Sequence, residues 1–273
     1  MRDRTIDIVI PTFNNSPVLS RCLRTLEQVA PGRQRVIVVD DGSTSEQHAS
    51  MEAAIAALER DACLLTHETN KGFKEAILTA MRFSTAPCVL LLNDDTIPTI
   101  DFDLKLLEVL QADSRTKGVG PVSRHPTDLF QFRPELRAIS IADEPDPFEL
   151  LARFEQHRLA HGITDVPFVT GMCLLLDRAV FEQCGYFDGA YENGYFEALE
   201  LCCRIRAMGH RLQAREDCFV YHVAHETYKH KATEEKHRII MRNFRIYESN
   251  WSHLPEHEEL LRRMEYAGKE HPI

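Results

Sequence analysis

Three polar clusters in the sequence each follow an apolar run of strand length. Thr12-Phe13-Asn14 follows Ile6-Asp7-Ile8-Val9-Ile10-Pro11, Asp40-Asp41 follows Val36-Ile37-Val38-Val39, and Asn93-Asp94-Asp95 follows Cys88-Val89-Leu90-Leu91-Leu92. Asp, Asn and Gly suit turns and caps, so one such cluster alone is a bland feature. Three in register point to a site. Parallel strands would bring all of them to the carboxyl edge of one sheet, where open α/β sheets bind ligands. Carboxylates gathered there repel one another unless a cation or a hydrogen-bonding ligand joins them. No GxGxxG or GxxxxGK[ST] loop follows a strand. An anionic ligand would therefore be met by a metal and by side chains rather than by a glycine-rich cradle.

The elements that must position these clusters show as alternating patterns over residues 1–122. Val18, Leu19, Cys22, Leu23 and Leu26 recur at helical spacing between the first two strands. An Ala-rich helix is predicted at 51–58, with Thr44 or Ser45 as its cap. A third strand is predicted at 63–66, a helix at 72–83 and a fourth strand at 88–92. Near-continuous apolar strands separated by helices predict an α/β fold with a mostly parallel sheet covered on both faces. From 123 to about 165 the pattern weakens, broken by Pro126, Pro134, Pro145 and Pro147, and one helix is predicted at 148–161 over the sheet edge. An extended run at 166–176 leads into Asp177-Arg178, and a helix at 197–208 closes on Gly209 as its C-terminal cap. A last short strand is predicted at 219–222, an amphipathic packing helix at 233–247 and another helix at 256–264. The expected whole is one compact domain with halves at 1–122 and 123–273.

Composition sets limits on function. The chain has 273 residues, 44% hydrophobic and 27% charged, and a formal charge of −10. An acidic surface offers no broad attraction to nucleic acid or anionic lipid. No stretch approaches the roughly 20 apolar residues that span a bilayer, and the charged stretch 1–7 does not read as a signal peptide. The eight cysteines are scattered without a CxxC pair. They read as reduced, mainly buried thiols of a cytoplasmic protein.

Taken in order, Val9-Ile10-Pro11-Thr12-Phe13-Asn14, Val38-Val39-Asp40-Asp41-Gly42-Ser43-Thr44, Asn70-Lys71-Gly72-Phe73 and Leu91-Leu92-Asn93-Asp94-Asp95-Thr96 resemble glycosyltransferase family 2. The second half adds Thr170-Gly171-Met172-Cys173-Leu174-Leu175-Leu176, similar to the family's acceptor-side strand. Gly185-Tyr186-Phe187-Asp188, Asn193-Gly194-Tyr195-Phe196-Glu197, and Leu201-Cys202 through Arg204 to Gly209 resemble its catalytic-helix region. Tyr221-His222 sits where family members place a metal-binding His. Each motif alone is weak; the ordered set, over about residues 5–250, is specific.

The resemblance implies a GT-A-like fold and an inverting transfer from a UDP- or GDP-type sugar donor to a hydroxyl on a glycan or other acceptor. It gives Asp94 and Asp95 to the metal and ribose-diphosphate, with Asp95 coordinating directly and His222 as a further ligand. Oxygen ligands beside a phosphate suit Mg²⁺ or Mn²⁺, and the His biases the choice towards Mn²⁺. A strand-end His is also a common structural residue. Asp41, with Asp40 beside it, would accept from a nucleobase N–H, and Pro11, Thr12, Phe13 and Asn14 would line the base pocket. Asn93, Lys71, Gly72 and Lys74 belong to the expected nucleotide site, although surface lysines often have no such role. Gly171, Met172 and Asp188 are expected near the transferred sugar or its acceptor.

One position departs from the family pattern. A Glu-Asp pair is expected on the catalytic helix, the Asp serving as base, and here the pair is Glu197-Ala198, followed by Glu200. Alanine cannot accept a proton. Either position 198 has been engineered, or Glu197 or Glu200 serves instead, or the chain has lost transfer and only binds nucleotide sugar. On a helix Glu197 and Glu200 share a face, whereas position 198 is turned about 100° from Glu197. A sugar-nucleotide nucleotidyltransferase is a weaker alternative, because Pro11-Thr12-Phe13-Asn14-Asn15 has neither glycine nor a basic residue.

Overall fold

The computed structural model describes residues 5–30, 34–141, 146–157, 162–192, 195–224 and 233–270. Asn193, Gly194, Pro145 and the predicted helical residues 158–161 lie outside them. The first half runs β1 (Ile6–Thr12), α1 (Ser16–Val29), β2 (Arg35–Asp40), α2 (Ser45–Ala56), β3 (Ala62–Thr66), α3 (Phe73–Phe83), β4 (Cys88–Leu92), β5 (Thr96–Pro98), α4 (Phe102–Ala112) and β6 (Thr116–Val122). Two 3-10 helices (Pro126–Gln131 and Pro134–Ala138) lead to α5 (Pro147–Gln156), β7 (Ile163–Asp165), β8 (Cys173–Asp177) and α6 (Arg178–Gln183). The chain then forms α7 (Glu197–Ala207), β9 (Arg211–His222), α8 (Thr233–Trp251) and α9 (His257–Glu270).

The strands make one twisted surface in the order β3-β2-β1-β4-β8-β6-β9-β5, with β7 added against β9. β3, β2, β1 and β4 are parallel; β8 is antiparallel to both β4 and β6, and β6 is parallel to β9. β1, β2 and β4 carry apolar residues at consecutive positions because helices cover both faces. Val9, Ile37, Val39, Val89 and Leu91 pack towards α3 and α7, while Ile8, Ile10, Val36, Val38 and Leu90 pack towards α1 and α4. The exception in β1 is Asp7, fully buried, which accepts from Arg35 and from Ser84 Oγ at 2.6 Å. α1 earns its place through a stripe at i, i+3, i+4 and i+7, namely Leu19, Cys22, Leu23 and Leu26, all at most 1% exposed.

Register brings the polar clusters together as expected. Thr12 stands opposite Asp40, and Asp40 opposite Thr66. The Asp41 N–H donates to the Thr12 carbonyl, and the Asn93 N–H to that of Met172, each at 2.9 Å.

Several elements differ from expectation. The last strand is not confined to 219–222 but begins at Arg211. Its first half interleaves Arg211, the buried Gln213 and Arg215 with the buried apolar Leu212 and Ala214, and the arginines are matched by Asp113, Asp165, Asp217 and Glu108. The run at 166–176 is a strand only from Cys173, although Val166, Phe168 and Val169 before it are buried. β5, α4, β6 and the 3-10 helices fill residues where no element was predicted. α5 starts on an Asp146 cap, whose Oδ1 accepts from the Phe148 N–H at 2.8 Å.

Candidate active site

A cavity of about 580 Å³ opens at the carboxyl edge of β1, β2 and β4. Pro11, Thr12, Phe13, Asp41 and Gly72 line one end, and Asn93, Asp94, Asp95 and His222 its floor. Gly171, Met172, Glu197 and Ala198 line the far side. Asn14, Asp40, Lys71, Lys74, Asp188 and Glu200 are not among the lining residues. Their contacts describe what they do in this structure.

Asp41 is 4% exposed and strongly engaged. Its Oδ1 accepts from the Lys71 N–H at 2.9 Å and pairs with His67 Nδ1 at 2.7 Å, while Oδ2 accepts from the Gly72 N–H at 2.6 Å. It therefore shapes the 70–72 loop at one end of the cavity. Gly42 (φ +79°) permits this close approach, since a Cβ there would lie 2.4 Å from the Thr69 carbonyl carbon. Asp40 turns away, accepting from the Ser43 N–H at 3.0 Å and pairing with His48 Nδ1 at 2.7 Å. Asn14 (φ +50°) braces the same turn, its Oδ1 accepting from the Thr44 N–H at 2.9 Å. Lys74 Nζ donates to the carbonyls of Asp188 and Tyr191, tying α3 to the segment before α7.

At the floor, Asp94 is 1% exposed, and its Oδ2 accepts from Thr12 Oγ1 at 2.7 Å and Asn15 Nδ2 at 3.2 Å. Its neighbour Asp95 faces His222: Oδ1 and Nε2 are 3.4 Å apart. His222 Nδ1 lies 2.9 Å from Asp128 Oδ1, and the other oxygen of Asp128 accepts from Ser123 Oγ. Burial opposes the charge of His222, but Asp128 and Asp95 on its two sides outweigh that and hold its pKa well above the ordinary imidazole value.

Among the described residues no three His, Cys, Asp or Glu side chains converge as a metal centre. The Asp95–His222 pair nonetheless offers an oxygen and an imidazole nitrogen 3.4 Å apart, a donor set that fits a divalent cation such as Mn²⁺.

α7 presents the far side. Tyr195 and Phe196, both at φ +70°, turn the chain into the helix. Glu197 is 5% exposed and lines the cavity beside Ala198. The expected shared face of Glu197 and Glu200 does not put both at the cavity. Glu200 is held by Arg204 through two contacts of 2.7 Å, the i,i+4 ion pair of the same helix. A Cβ built on Gly171 would lie 3.7 Å from both the Ala198 Cβ and Phe73.

Sequence reasoning missed Asp128 and Ser123, which sit in and before a proline-flanked 3-10 turn with no periodic signal. It also missed Asn15, next to a residue already singled out, and an apolar wall of Ile240 from α8 and Met264, Ala267 and Gly268 from α9.

This sheet order, with a paired-aspartate cavity at the carboxyl edge, is the GT-A glycosyltransferase architecture. The fold is shared with the mannosyltransferase PcManGT from Pyrobaculum calidifontis, in complex with GDP-Man and Mn²⁺ (TM-score 0.67, 18% identity, 96% of this chain and 69% of that one). It is shared likewise with GalNAc-T7 bound to UDP, GalNAc and Mn²⁺ (TM-score 0.65, 13% identity, 98% and 54%). The family model of glycosyl transferase family 2 matches residues 7–185, and the chain belongs to that family. An N-acetylglucosaminyltransferase of Bradyrhizobium elkanii is 34% identical over 109 residues, covering 39% of this chain and 60% of the relative. The uncharacterized glycosyltransferase YaiP of Escherichia coli (strain K12) is 26% identical over 220 residues, 79% of this chain and 51% of the relative. The matched segments thus span under two thirds of these relatives' lengths. No described helix is long and apolar enough to cross a membrane.

Proposed function

We propose that this glycosyltransferase moves a hexosyl group, with inversion, from a UDP- or GDP-type donor to a hydroxyl acceptor, assisted by Mn²⁺ or Mg²⁺. The observation that carries the reading is the Asp95–His222 pair, 3.4 Å apart on the floor of a cavity whose far side is Gly171, Glu197 and Ala198. Nucleotide and Mn²⁺ in the two structural neighbours support it.

Asp95 and His222 would hold the cation, which when bound neutralises charge developing on the leaving diphosphate. Thr12 and Asn15 fix Asp94 so that the 93–95 turn keeps one shape. Asp41 sets the loop against which the base rests, with its remaining acceptor capacity available to a base N–H. The acceptor hydroxyl needs a base within hydrogen-bond reach. Ala198 supplies none, and Glu200 is committed to Arg204. Glu197 is the remaining carboxylate of the three-residue set that lines the cavity. A second reading, a protein that binds nucleotide sugar and transfers slowly or not at all, is favoured by Ala198 itself.

The test is incubation with UDP- and GDP-linked hexoses, Mn²⁺ and a panel of hydroxyl acceptors, followed by NMR of the product's anomeric centre. An inverted linkage is expected. A retained configuration would contradict the mechanism, and donor binding without turnover across acceptors that a restored-base variant does use would favour the second reading.

A further inference from the structure

We infer that Asp128 is a positioning residue for His222. It holds the imidazole with Nδ1–H turned towards its own carboxylate, so that Nε2 is aimed at the cation position beside Asp95 and ligates there once the ion displaces its proton. The inference rests on the metal-assisted reading above.

The geometry is that of a carboxylate-supported histidine ligand. Asp128 Oδ1 is 2.9 Å from His222 Nδ1, and Asp95 Oδ1 is 3.4 Å from Nε2 on the opposite side of the ring. Asp128 is itself fixed: it is 2% exposed, and Ser123 Oγ donates to its second oxygen. The Ser123 hydroxyl accepts in turn from the His125 N–H at 3.1 Å. The backbone holds the same arrangement, the Asp128 N–H donating to the His125 carbonyl at 3.0 Å.

This turn is not a relaxed surface loop. Leu129, next to Asp128, takes φ 50° and ψ −104°, a conformation that a side-chain-bearing residue keeps only when its surroundings impose it. α9 imposes it here: Arg263 Nη1 donates to the Leu129 carbonyl at 3.0 Å, and its guanidinium sits 4.5 Å above the Phe130 ring. A carboxylate held this firmly against one ring nitrogen selects the tautomer and the ring plane of a histidine whose other nitrogen binds a metal, and raises its basicity. An excursion between β6 and β8 and the C-terminal helix together thus aim a ligand carried by β9.

The test is the affinity for Mn²⁺, read by the EPR signal of the free ion, with saturating UDP and separately with GDP. Wild type is compared with Asp128→Asn, Ser123→Ala and His222→Ala, each checked for fold by circular dichroism. The expected result is a 10–100-fold loss of Mn²⁺ affinity in Asp128→Asn, a smaller loss in Ser123→Ala, and unchanged nucleotide affinity in chelator. Asp128→Asn within twofold of wild type, while His222→Ala loses the ion, would overturn the inference and leave the metal reading intact. If Asp128→Asn does not fold, Ser123→Ala decides: weakened Mn²⁺ supports positioning, unchanged Mn²⁺ overturns it. A wild-type chain that takes up no Mn²⁺ with either nucleotide would overturn both.

Discussion

Ala198 lines the cavity at the position where the family pattern is expected to carry a carboxylate, and the proposed base chemistry can be tested there. A positioned base contributes about 10²–10⁴-fold to rate. Under the proposed function, Ala198→Asp should therefore raise transfer by about that factor with little change in donor affinity, since the base would act on the acceptor hydroxyl rather than on the diphosphate. Initial rates with a competent acceptor measure it; vigorous transfer by the Ala198 chain that disappears in Glu197→Gln would show that Glu197 already serves. Gly171 gives a complementary prediction. A Cβ there meets only ordinary contacts at 3.7 Å, so Gly171→Ala should leave stability within about 0.5 kcal/mol. The new methyl nevertheless projects beside Ala198 into the cavity, and kcat/KM should fall while Tm holds. A large fall in Tm would mean that the glycine serves the fold instead.

Among the elements, the turn after β4 depends on β1 and on the start of α1. Thr12 Oγ1 and Asn15 Nδ2 both donate to Asp94 Oδ2, all three residues being at most 8% exposed. Thr12→Val keeps the shape but removes one donor from a buried carboxylate, which should cost about 1–3 kcal/mol in urea unfolding; a loss below about 0.3 kcal/mol would show that the contact is idle. These elements also mark how far the sequence could be read. β1, β2 and β4 were legible because burial on both faces demands consecutive apolar residues. That their end residues meet at one edge of the sheet was legible too, because register is set by the same apolar runs. β9 was only half legible: Arg211, Gln213 and Arg215 look like loop residues until Asp113, Asp165 and Glu108 are brought to them from elsewhere in the chain. Asp128 lies in a 3-10 turn between prolines, and its meaning comes from a partner 94 residues away. No local pattern carries such a contact. The role of Lys74 went unread for the same reason, since it finds distant carbonyls, whereas the Glu200–Arg204 pair is an i,i+4 spacing that was open to reading in the sequence.

Over the whole molecule, burial dictates the behaviour of the cysteines. Six of the eight are buried, with Cys63 and Cys184 partly exposed. Burial pushes Cys22, Cys202 and Cys218 up to about 12, which leaves them un-ionised near neutrality as well as inaccessible. A thiol reagent at pH 8 should modify no more than two sites in the native protein and all eight after denaturation; rapid reaction of four or more in the native state would contradict this core. The molecule's acidity bears on its ligand in the same way. With a net charge of −10 and paired aspartates lining the cavity, the diphosphate of the proposed donor would be repelled unless a cation lay between. Titration calorimetry of UDP and of GDP, each with Mn²⁺ and with chelator, tests that claim directly. Mn²⁺ is expected to tighten at least one of the two by about tenfold or more, a difference of about 1.4 kcal/mol, and equal affinity in both conditions for both nucleotides would contradict metal-assisted binding.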